Sequence, residues 1–377
     1  GSAEQVAAVL TLCRDSGVAV TVQGGRTSLV GGTVPENNDV LLSTQRLTRI
    51  GDVDPVERQV RAEAGVTLAE VQRVAAAAGL LFGVDLAARD SATIGGMAST
   101  NAGGLRTVAY GTMSAQVIGV DVALPDGSLL HRHSHVRCDN TGYDLAALFV
   151  GAEGTLGVIT AVDLRLHPVP AHRVTAVCGF DDLEALVAAG RALRGIETIG
   201  ALELIDGRGA ALAAEHLDSP SPVRGDWLLL VELAGEIDHT EHLAAALESV
   251  PLNGAPAVGT DLPARQRLWQ LRESMAEVVS LFGPPVKFDV ALPLSGIAAF
   301  AADSAALIAR HAPAAIYPAM MELIAAHGGN VSSEHGVGSR KRAYLAMSRQ
   351  PADIAVMRTI KTALDPTGYL NPAVLFD

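Results

Sequence analysis

The chain has 377 residues, 49% of them hydrophobic, and a formal net charge of -13 from 28 basic and 41 acidic side chains. This length allows two domains with separate cores, and the acidic balance argues against a nucleic-acid partner, which would require a basic surface. No apolar run approaches the ~20 residues of a bilayer span, and the three cysteines show no paired spacing, so we expect a soluble, cytoplasmic protein.

The first predicted elements are an amphipathic helix from Ala3 to Arg14, with Ser2 as its N-cap, and the β-branched strand GVAVTVQ. The strand leads directly into the loop GGRTSLVGG, residues 24–32. Glycine pairs let backbone N–H groups point into one concavity, and Thr27 and Ser28 add hydroxyl donors. The loop is therefore typical of a phosphate or pyrophosphate cradle, with a tight polar surface turn as the alternative. The dinucleotide spacing G-x-G-x-x-G is absent.

A second loop of small residues follows. The strand DVLLST precedes a helix that begins at Thr67, where Thr67 and Glu70 have the spacing of a capping box. In the segment SATIGGMASTNAGG, residues 91–104, small side chains would let the backbone approach a flat ligand, with a flexible linker as the alternative. A strand with a hairpin turn at Asp126-Gly127 and the glycine-rich segment 148–168 complete this half of the chain.

The pattern changes at about Val174 to strand, helix, strand, strand, helix, which is typical of a ferredoxin-like α+β unit. The sequence then predicts a long helix over 262–281, a strand PVKFDVALP over 285–293, and a helix over 295–310. The turn-rich segment DPTGYLNP, residues 365–372, is expected to pack back onto another part of the protein.

Six motifs stand in an order that carries a family resemblance: VQGGRTSLVGGTVP, TIGGMASTNAGGLRTVAYG, DNTGYDLAALFVGAEGTLGVIT, PVKFDVALP, SSEHGVGSRKR and LDPTGYLNP. Together they resemble the FAD-linked oxidases of the vanillyl-alcohol oxidase and p-cresol methylhydroxylase (PCMH) superfamily. The branch they resemble holds the D-lactate, glycolate and D-2-hydroxyglutarate dehydrogenases. The resemblance implies an α+β fold with a two-subdomain, PCMH-type FAD-binding domain at 1–172 and a ferredoxin-like substrate domain at 173–328. A helical C-terminal segment at 329–377 would pack back on the flavin domain and complete its site.

The resemblance also implies which residues bind FAD. The first loop would wrap the diphosphate, the second would line the isoalloxazine and ribityl chain, a third segment would contact the adenosine half, and the C-terminal turn would reach the flavin. In that order, the residues are Gly24, Gly25, Arg26, Thr27, Ser28 and Gly31; Thr93, Gly95, Gly96, Thr100, Asn101, Ala102 and Gly103; Glu153, Gly154, Gly157 and Ile159; and Asn371. Relatives that attach flavin covalently use a histidine or cysteine near these segments, and residues 21–36 contain neither, so we expect non-covalent FAD.

Oxidation of a hydroxy acid needs a base for the hydroxyl proton and cations for the carboxylate. By the resemblance, Arg272 and Lys287 hold the substrate carboxylate, and His335 binds or deprotonates the hydroxyl, for which its ordinary pKa is suited. Glu334 matches a position that ligates a divalent metal such as zinc or manganese. Without the family frame, these residues would be interpreted as an ordinary helix-face arginine, a strand-end lysine and solvated loop side chains.

The chain departs from the family pattern at two points. The branch carries the strand H-x-G-D-G-N-x-H, whose histidines complete the metal site, whereas residues 311–318 here read HAPAAIYP. Loss of this strand would leave Glu334 without co-ligands and sheet backbone unpaired. We therefore expect that the natural protein carries the strand and that its residues are missing from this sequence, with evolutionary loss of the strand as the alternative. The 2-hydroxyglutarate dehydrogenases place a hydroxyl residue where this chain has Ala276, which weakens the case for a dicarboxylic substrate.

The sequence therefore predicts a bacterial FAD-dependent dehydrogenase that oxidises D-2-hydroxyglutarate, D-lactate or glycolate to the 2-oxo acid, with hydride transfer to flavin. We expect a quinone, a cytochrome or an electron-transfer flavoprotein as the electron acceptor and no nucleic-acid partner. The sequence does not decide whether the protein contacts a membrane surface or forms a homodimer. The alternative is a flavin-binding subunit of a redox complex that lacks hydroxy-acid turnover of its own.

Overall fold

A computed structural model describes residues 1–36, 38–133 and 140–376, apart from the side chain of Ala276. Cys138 lies outside the described residues, and Cys13 and Cys178 are buried free thiols. None of the helices in the described ranges is both long and apolar enough to cross a membrane.

The N-terminal half builds two sheets with helices around them. Its elements are α1 (Ala3–Asp15), β1 (Val20–Gln23), β2 (Val40–Ser43), β3 (Gln59–Glu63), α2 (Leu68–Ala77), β4 (Leu80–Phe82), α3 (Ile94–Thr100), α4 (Thr107–Tyr110), α5 (Met113–Gln116), β5 (Val117–Ala123), β6 (Leu129–Arg132), α6 (Leu145–Phe149) and β7 (Val158–Pro168). Strands β1 and β2 pair in parallel, and among the described residues an antiparallel sheet has the order β3-β7-β5-β6, with β4 also on β7. The predicted caps are confirmed: Ser2 accepts a hydrogen bond from the N–H of Gln5, and Thr67 accepts one from the N–H of Glu70.

A second antiparallel sheet begins after β7. Its region contains β8 (His172–Phe180), α7 (Leu183–Leu193), β9 (Ile199–Asp206), α8 (Gly207–His216), β10 (Trp227–Gly235), α9 (Thr240–Glu248), β11 (Ala257–Gly259), α10 (Leu262–Glu273) and α11 (Met275–Ser280), and then α12 (Ile297–Arg310) and α13 (Pro313–Ala326). The strand order β11-β8-β10-β9 is the fourth, first, third and second strand of the unit, which is the ferredoxin-like order. Apolar side chains of β8, β10, α7 and α9 form the core of one face of this sheet.

Three predictions of local structure in this region are wrong. Helix α8 was not predicted between β9 and β10. The single helix predicted over 262–281 is interrupted at Ser274, whose hydroxyl donates to the carbonyl of Leu271, a bond that bends helices. The strand predicted over 285–293 is absent from the described chain, because only Ala291 finds a bridge partner, Asn330.

The C-terminal segment contains α14 (Leu345–Ser348) and α15 (Pro351–Leu364) and packs back on the N-terminal half, as predicted. Leu370 forms a parallel bridge with Val20 of β1. The hydroxyl of Tyr369 donates to the carbonyls of Leu10 and Pro125 at 3.2 and 2.8 Å. The last described turn is therefore part of the core beside β1.

Candidate active site between the glycine loops and the second sheet

Two adjoining cavities lie where the loops after β1 and before α3 meet the loop after α13. The larger has a volume of about 560 Å³, within the usual ligand-pocket range, and the smaller about 80 Å³. They share the lining residues Gly24, Ser28, Thr33, Gly96, Thr100 and His335. The two glycine-rich loops therefore form the walls of one concave site.

Most of the residues predicted to bind the cofactor line these cavities. The larger is lined by Gly24, Gly25, Arg26, Thr27, Ser28, Thr93, Gly96, Thr100, Ala102 and Gly103. The smaller is lined by Gly24, Ser28, Gly95, Gly96, Thr100, Glu153, Gly154, Gly157, Ile159 and Asn371. Gly31 and Asn101 line neither: Gly31 turns the first loop at a φ of +77°, and Asn101 caps α3 and accepts a hydrogen bond from the N–H of Ser114.

Close contact between the two loops requires a glycine at Gly25. A Cβ added there would lie 2.0 Å from the carbonyl oxygen of Ser91, and the Gly25 N–H donates to Oγ1 of Thr93 at 3.1 Å. At Gly96, by contrast, a Cβ would meet only Oγ1 of Thr93, at 3.2 Å. The absence of a side chain at Gly25 thus lets the two loops touch. The absence of one at Gly96 instead leaves space at the cavity wall for a bound ligand.

The polar end of the larger cavity brings together the four residues predicted for chemistry, Arg272, Lys287, Glu334 and His335. It also contains Glu203 of β9, which sequence reasoning missed: its carboxylate pairs with Arg272, Oε2 to Nε, at 2.7 Å. The available signal was an acidic side chain between two leucines in the middle of β9. The site therefore presents two cations and two carboxylates to one space.

Burial and neighbouring charges set the protonation of the loop after α13. Burial lowers the pKa of His335, the ammonium groups of Lys341 and Lys287 lower it further, and Asp289 opposes them. Burial raises the pKa of Glu334, with added repulsion from Asp289 and Glu203, against the attraction of Arg272. His335 is therefore poised as a neutral imidazole that can accept a proton near neutrality.

The carboxylate of Asp289 fixes the backbone of this loop. It accepts hydrogen bonds from the N–H groups of Glu334 at 3.0 Å, His335 at 2.9 Å and Ser333 at 3.3 Å. Lys341 donates to the Asp289 carbonyl at 2.6 Å. Burial alone would raise the pKa of Asp289, but these N–H donors and the Lys341 charge outweigh it and keep the pKa below its ordinary value. No sequence pattern indicates this role, because the segment 285–293 is predicted as a strand.

Glu153 holds the same loop from the opposite side. Its buried carboxylate accepts hydrogen bonds from the N–H groups of Val337 and Gly338, both at 2.8 Å. Burial raises the pKa of Glu153, against these two hydrogen bonds and the charge of Lys341. Asn371 connects the C-terminal turn to this arrangement, since it donates to the Glu153 carbonyl and accepts from the N–H of Val22. Glu153 and Asn371 thus position the wall of the smaller cavity as well as line it.

Comparison with known families identifies both halves of the chain. Residues 1–132 match the model described as "FAD binding domain", and residues 169–317 and 312–375 match "FAD linked oxidases, C-terminal domain". The chain belongs to the FAD-linked oxidases. Two relatives of this family are D-2-hydroxyglutarate dehydrogenases: the mitochondrial protein of Bos taurus is 34% identical over 98% of this chain and 74% of its own length. The protein of Xanthomonas citri pv. viticola is 34% identical over 100% of this chain and 88% of its own length.

A solved structure has the same fold. The 4-ethylphenol oxidase from Gulosibacter chungangensis superposes with a TM-score of 0.79 at 17% sequence identity, over 100% of this chain and 88% of that one. The predicted FAD-linked oxidase family and α+β architecture are confirmed by these matches.

The residues present fit FAD. Residues 24–28 of the first loop line the larger cavity, and Gly96 lines both cavities, where an added Cβ would meet only the Thr93 hydroxyl and otherwise stand in open space. A wall of small residues of this kind leaves room for a flat cofactor. Residues 24–28 would hold the diphosphate, and the wall from Thr93 to Gly103 would lie along the ring system.

The residues around Glu334 do not fit a divalent metal. Among the described residues, no group of three converging metal ligands includes Glu334. The charged groups that act on it are the carboxylates of Asp289 and Glu203, which already bind backbone N–H groups and Arg272, and Arg272 itself. A single carboxylate is a poor site for a zinc-like ion. The metal-binding role of Glu334 stays a prediction.

Proposed function

We propose that this FAD-linked oxidase oxidises a small D-2-hydroxy acid to the corresponding 2-oxo acid. The observation that carries the proposal is the shared cavity: His335 and the carboxylate-binding pair Arg272 and Lys287 line the same space as the glycine loops predicted to hold FAD. The two D-2-hydroxyglutarate dehydrogenase relatives support the same reaction class.

The residues divide the chemistry between them. When bound, FAD would accept the hydride from the α-carbon. An imidazole nitrogen of His335 accepts the hydroxyl proton, and the lowered pKa keeps that nitrogen free at neutral pH. The C–H and O–H bonds are lost and the carbonyl forms, so the product is the 2-oxo acid. Arg272 and Lys287 bind the substrate carboxylate through charge-assisted hydrogen bonds. These bonds are directional, so they fix the orientation of the substrate.

The charge of the site favours a monocarboxylic acid such as D-lactate or glycolate over D-2-hydroxyglutarate. Glu203 already neutralises one edge of Arg272, and Glu334 places a second carboxyl group in the same cavity. A second substrate carboxylate would therefore meet repulsion as well as attraction. Position 276 adds to this preference, because alanine offers no hydroxyl to a distal carboxylate.

The electrons are then passed to an acceptor other than NAD. The candidate acceptors are a quinone, a cytochrome and an electron-transfer flavoprotein. We propose non-covalent FAD and a cytoplasmic location, with a homodimer or peripheral membrane contact as open arrangements. The bovine relative is a mitochondrial protein, so the compartment does not follow from family membership.

The test is anaerobic reduction of the bound flavin. Purified protein should be yellow and should bleach when it is mixed with D-lactate, glycolate or D-2-hydroxyglutarate, and not with the L-acids. A yellow protein that no hydroxy acid bleaches would instead indicate a flavin-binding subunit of a redox complex. A colourless protein that takes up no added FAD would contradict the cofactor assignment itself.

A further inference from the structure

A second group of polar side chains lies on the antiparallel sheet of the N-terminal half, outside the cavities described above. Asp121 of β5 stands directly opposite His131 of β6, and His133 follows two residues later. None of these three lines the FAD cavities. They line a separate concave surface together with Asp52, Asp54, Arg61 and Asp163.

Two imidazole nitrogens and one carboxylate oxygen converge here. Oδ1 of Asp121 lies 2.9 Å from Nδ1 of His131 and 3.0 Å from Nε2 of His133. All three ligand atoms lie within 4.8 Å of one another. Ligands that each stand about 2.0–2.2 Å from one zinc ion are about 3–3.5 Å apart, a spacing that the two distances from Asp121 to the histidines approach.

A second layer of contacts orients these ligands. Nδ1 of His133 lies 2.7 Å from Oδ2 of Asp163, which is a hydrogen bond in the tautomer that carries the proton on Nδ1. A metal-binding histidine usually gives its other N–H to a carboxylate in this way, and in this tautomer Nε2, 3.0 Å from Oδ1 of Asp121, carries the lone pair that binds a metal. Arg61 contacts Asp121 and lies 3.0 Å from Oδ1 of Asp163. Its 2.8 Å contact with Nδ1 of His133 fits the other tautomer, in which Nε2 carries the proton and donates to Asp121. Asp121 and Asp163 bring two negative charges to the group and Arg61 brings one positive charge. With neutral histidines the net charge is therefore negative, which favours binding of a cation.

Burial and access are both suited to an ion site. Asp121 and Asp163 are each 7% exposed, so their charges are largely shielded from solvent, while the side chain of His131 is 52% exposed. An ion could therefore enter from the His131 side and keep a water molecule as its remaining ligand.

We propose that Asp121, His131 and His133 bind a divalent transition-metal ion of the zinc type. The ion would join β5 to the end of β6 and would have a structural role, independent of hydroxy-acid oxidation. Because the folded sheet alone assembles the three ligands, binding would stabilise the native state. The alternative is a metal-free cluster held together by the contacts of His133 with Asp121 and Asp163.

Zinc titration of the FAD-loaded protein by calorimetry tests this proposal. We expect one tight zinc site per chain in the parent and in the control H242Q, which changes an exposed histidine of α9. H131Q and H133Q should bind zinc at least ~10-fold more weakly. Zinc should also raise the thermal midpoint of the parent and the control, but not that of H131Q or H133Q.

Two further measurements keep the outcome decisive. Cobalt(II) added to the parent should give visible ligand-field bands that are absent in H133Q, which reports nitrogen ligation even if a variant is less stable. E334Q should bind zinc like the parent. Equal zinc binding by parent, H131Q and H133Q, no binding by the parent, or loss of zinc in E334Q alone would each overturn the proposal.

Discussion

Replacement of Asp289 tests whether the loop that carries His335 is held by this carboxylate. Hydrogen bonds to a charged group contribute about 1.5–3 kcal/mol each. The two shortest backbone contacts, from His335 at 2.9 Å and Glu334 at 3.0 Å, therefore amount to about 3–6 kcal/mol of local stabilisation. D289A loses all of it, whereas D289N keeps one carbonyl acceptor but loses the charge that faces Lys341.

We expect D289N to retain FAD and to show flavin reduction slowed by ~10- to 10²-fold, because a displacement of about 1 Å at a catalytic group has that effect. D289A should be slower still and should unfold at a lower temperature. The assay is anaerobic stopped-flow bleaching of the flavin by D-lactate, with the flavin-to-protein ratio and thermal midpoint measured on the same preparations.

D303N is the matched control, because Asp303 is an exposed carboxylate, 58% exposed, that pairs with His327 away from the cavity. It should bleach at the parental rate. If D289N also bleached at the parental rate and unfolded at the parental temperature, the carboxylate would not position the loop and the reasoning would be refuted.

Three other predictions concern the same cavity. H335A should keep its flavin and reduce it ~10²-fold or more slowly. The parental rate should rise with pH with a midpoint below pH 6.5, because the pKa of this base is lowered from 6.5, and a midpoint above that pH would contradict the assignment. R272A and K287A should each lower kcat/KM by ~10- to 10²-fold with unchanged flavin content, whereas E203Q should improve D-2-hydroxyglutarate relative to D-lactate by ~10-fold in steady-state assays. G25V should purify with little flavin, since its side chain would collide with the second loop; full occupancy would contradict this packing.

Local sequence patterns predicted the helix caps, strands and loops that depend on residues close together in the chain. Ser2 and Thr67 cap their helices as expected, and the alternation of strand and helix after residue 174 gave the ferredoxin-like order. The glycine loops were also predictable, because close backbone approach requires glycine whatever the surrounding fold. These signals all depend on residues near each other in the chain.

The side chains that complete the site depend on contacts between distant segments. Asp289 and the N–H group of His335 are 46 positions apart, and Glu153 and Val337 are 184 apart. A carboxylate that accepts hydrogen bonds from a remote backbone has no periodicity or spacing that a sequence pattern could detect. The same holds for Asp121 and Asp163, which meet His133 only because β5, β6 and β7 are neighbours in one sheet.

The three lysines show how pairing decides which cation is available for substrate. The chain has only Lys287, Lys341 and Lys361, and the sequence gives each the same weight. Lys341 is 3% exposed and donates to Asp289, and Lys361 donates to Asp365 and to the carbonyls of Thr155 and Leu370. Burial lowers the pKa of both ammonium groups, and their partners oppose that shift, so each is committed to joining the C-terminal segment to the rest of the fold. For Lys287, no hydrogen bond or ion pair is found within the described residues, although it lines the same cavity as Arg272. It is therefore the lysine whose charge a substrate carboxylate can still neutralise.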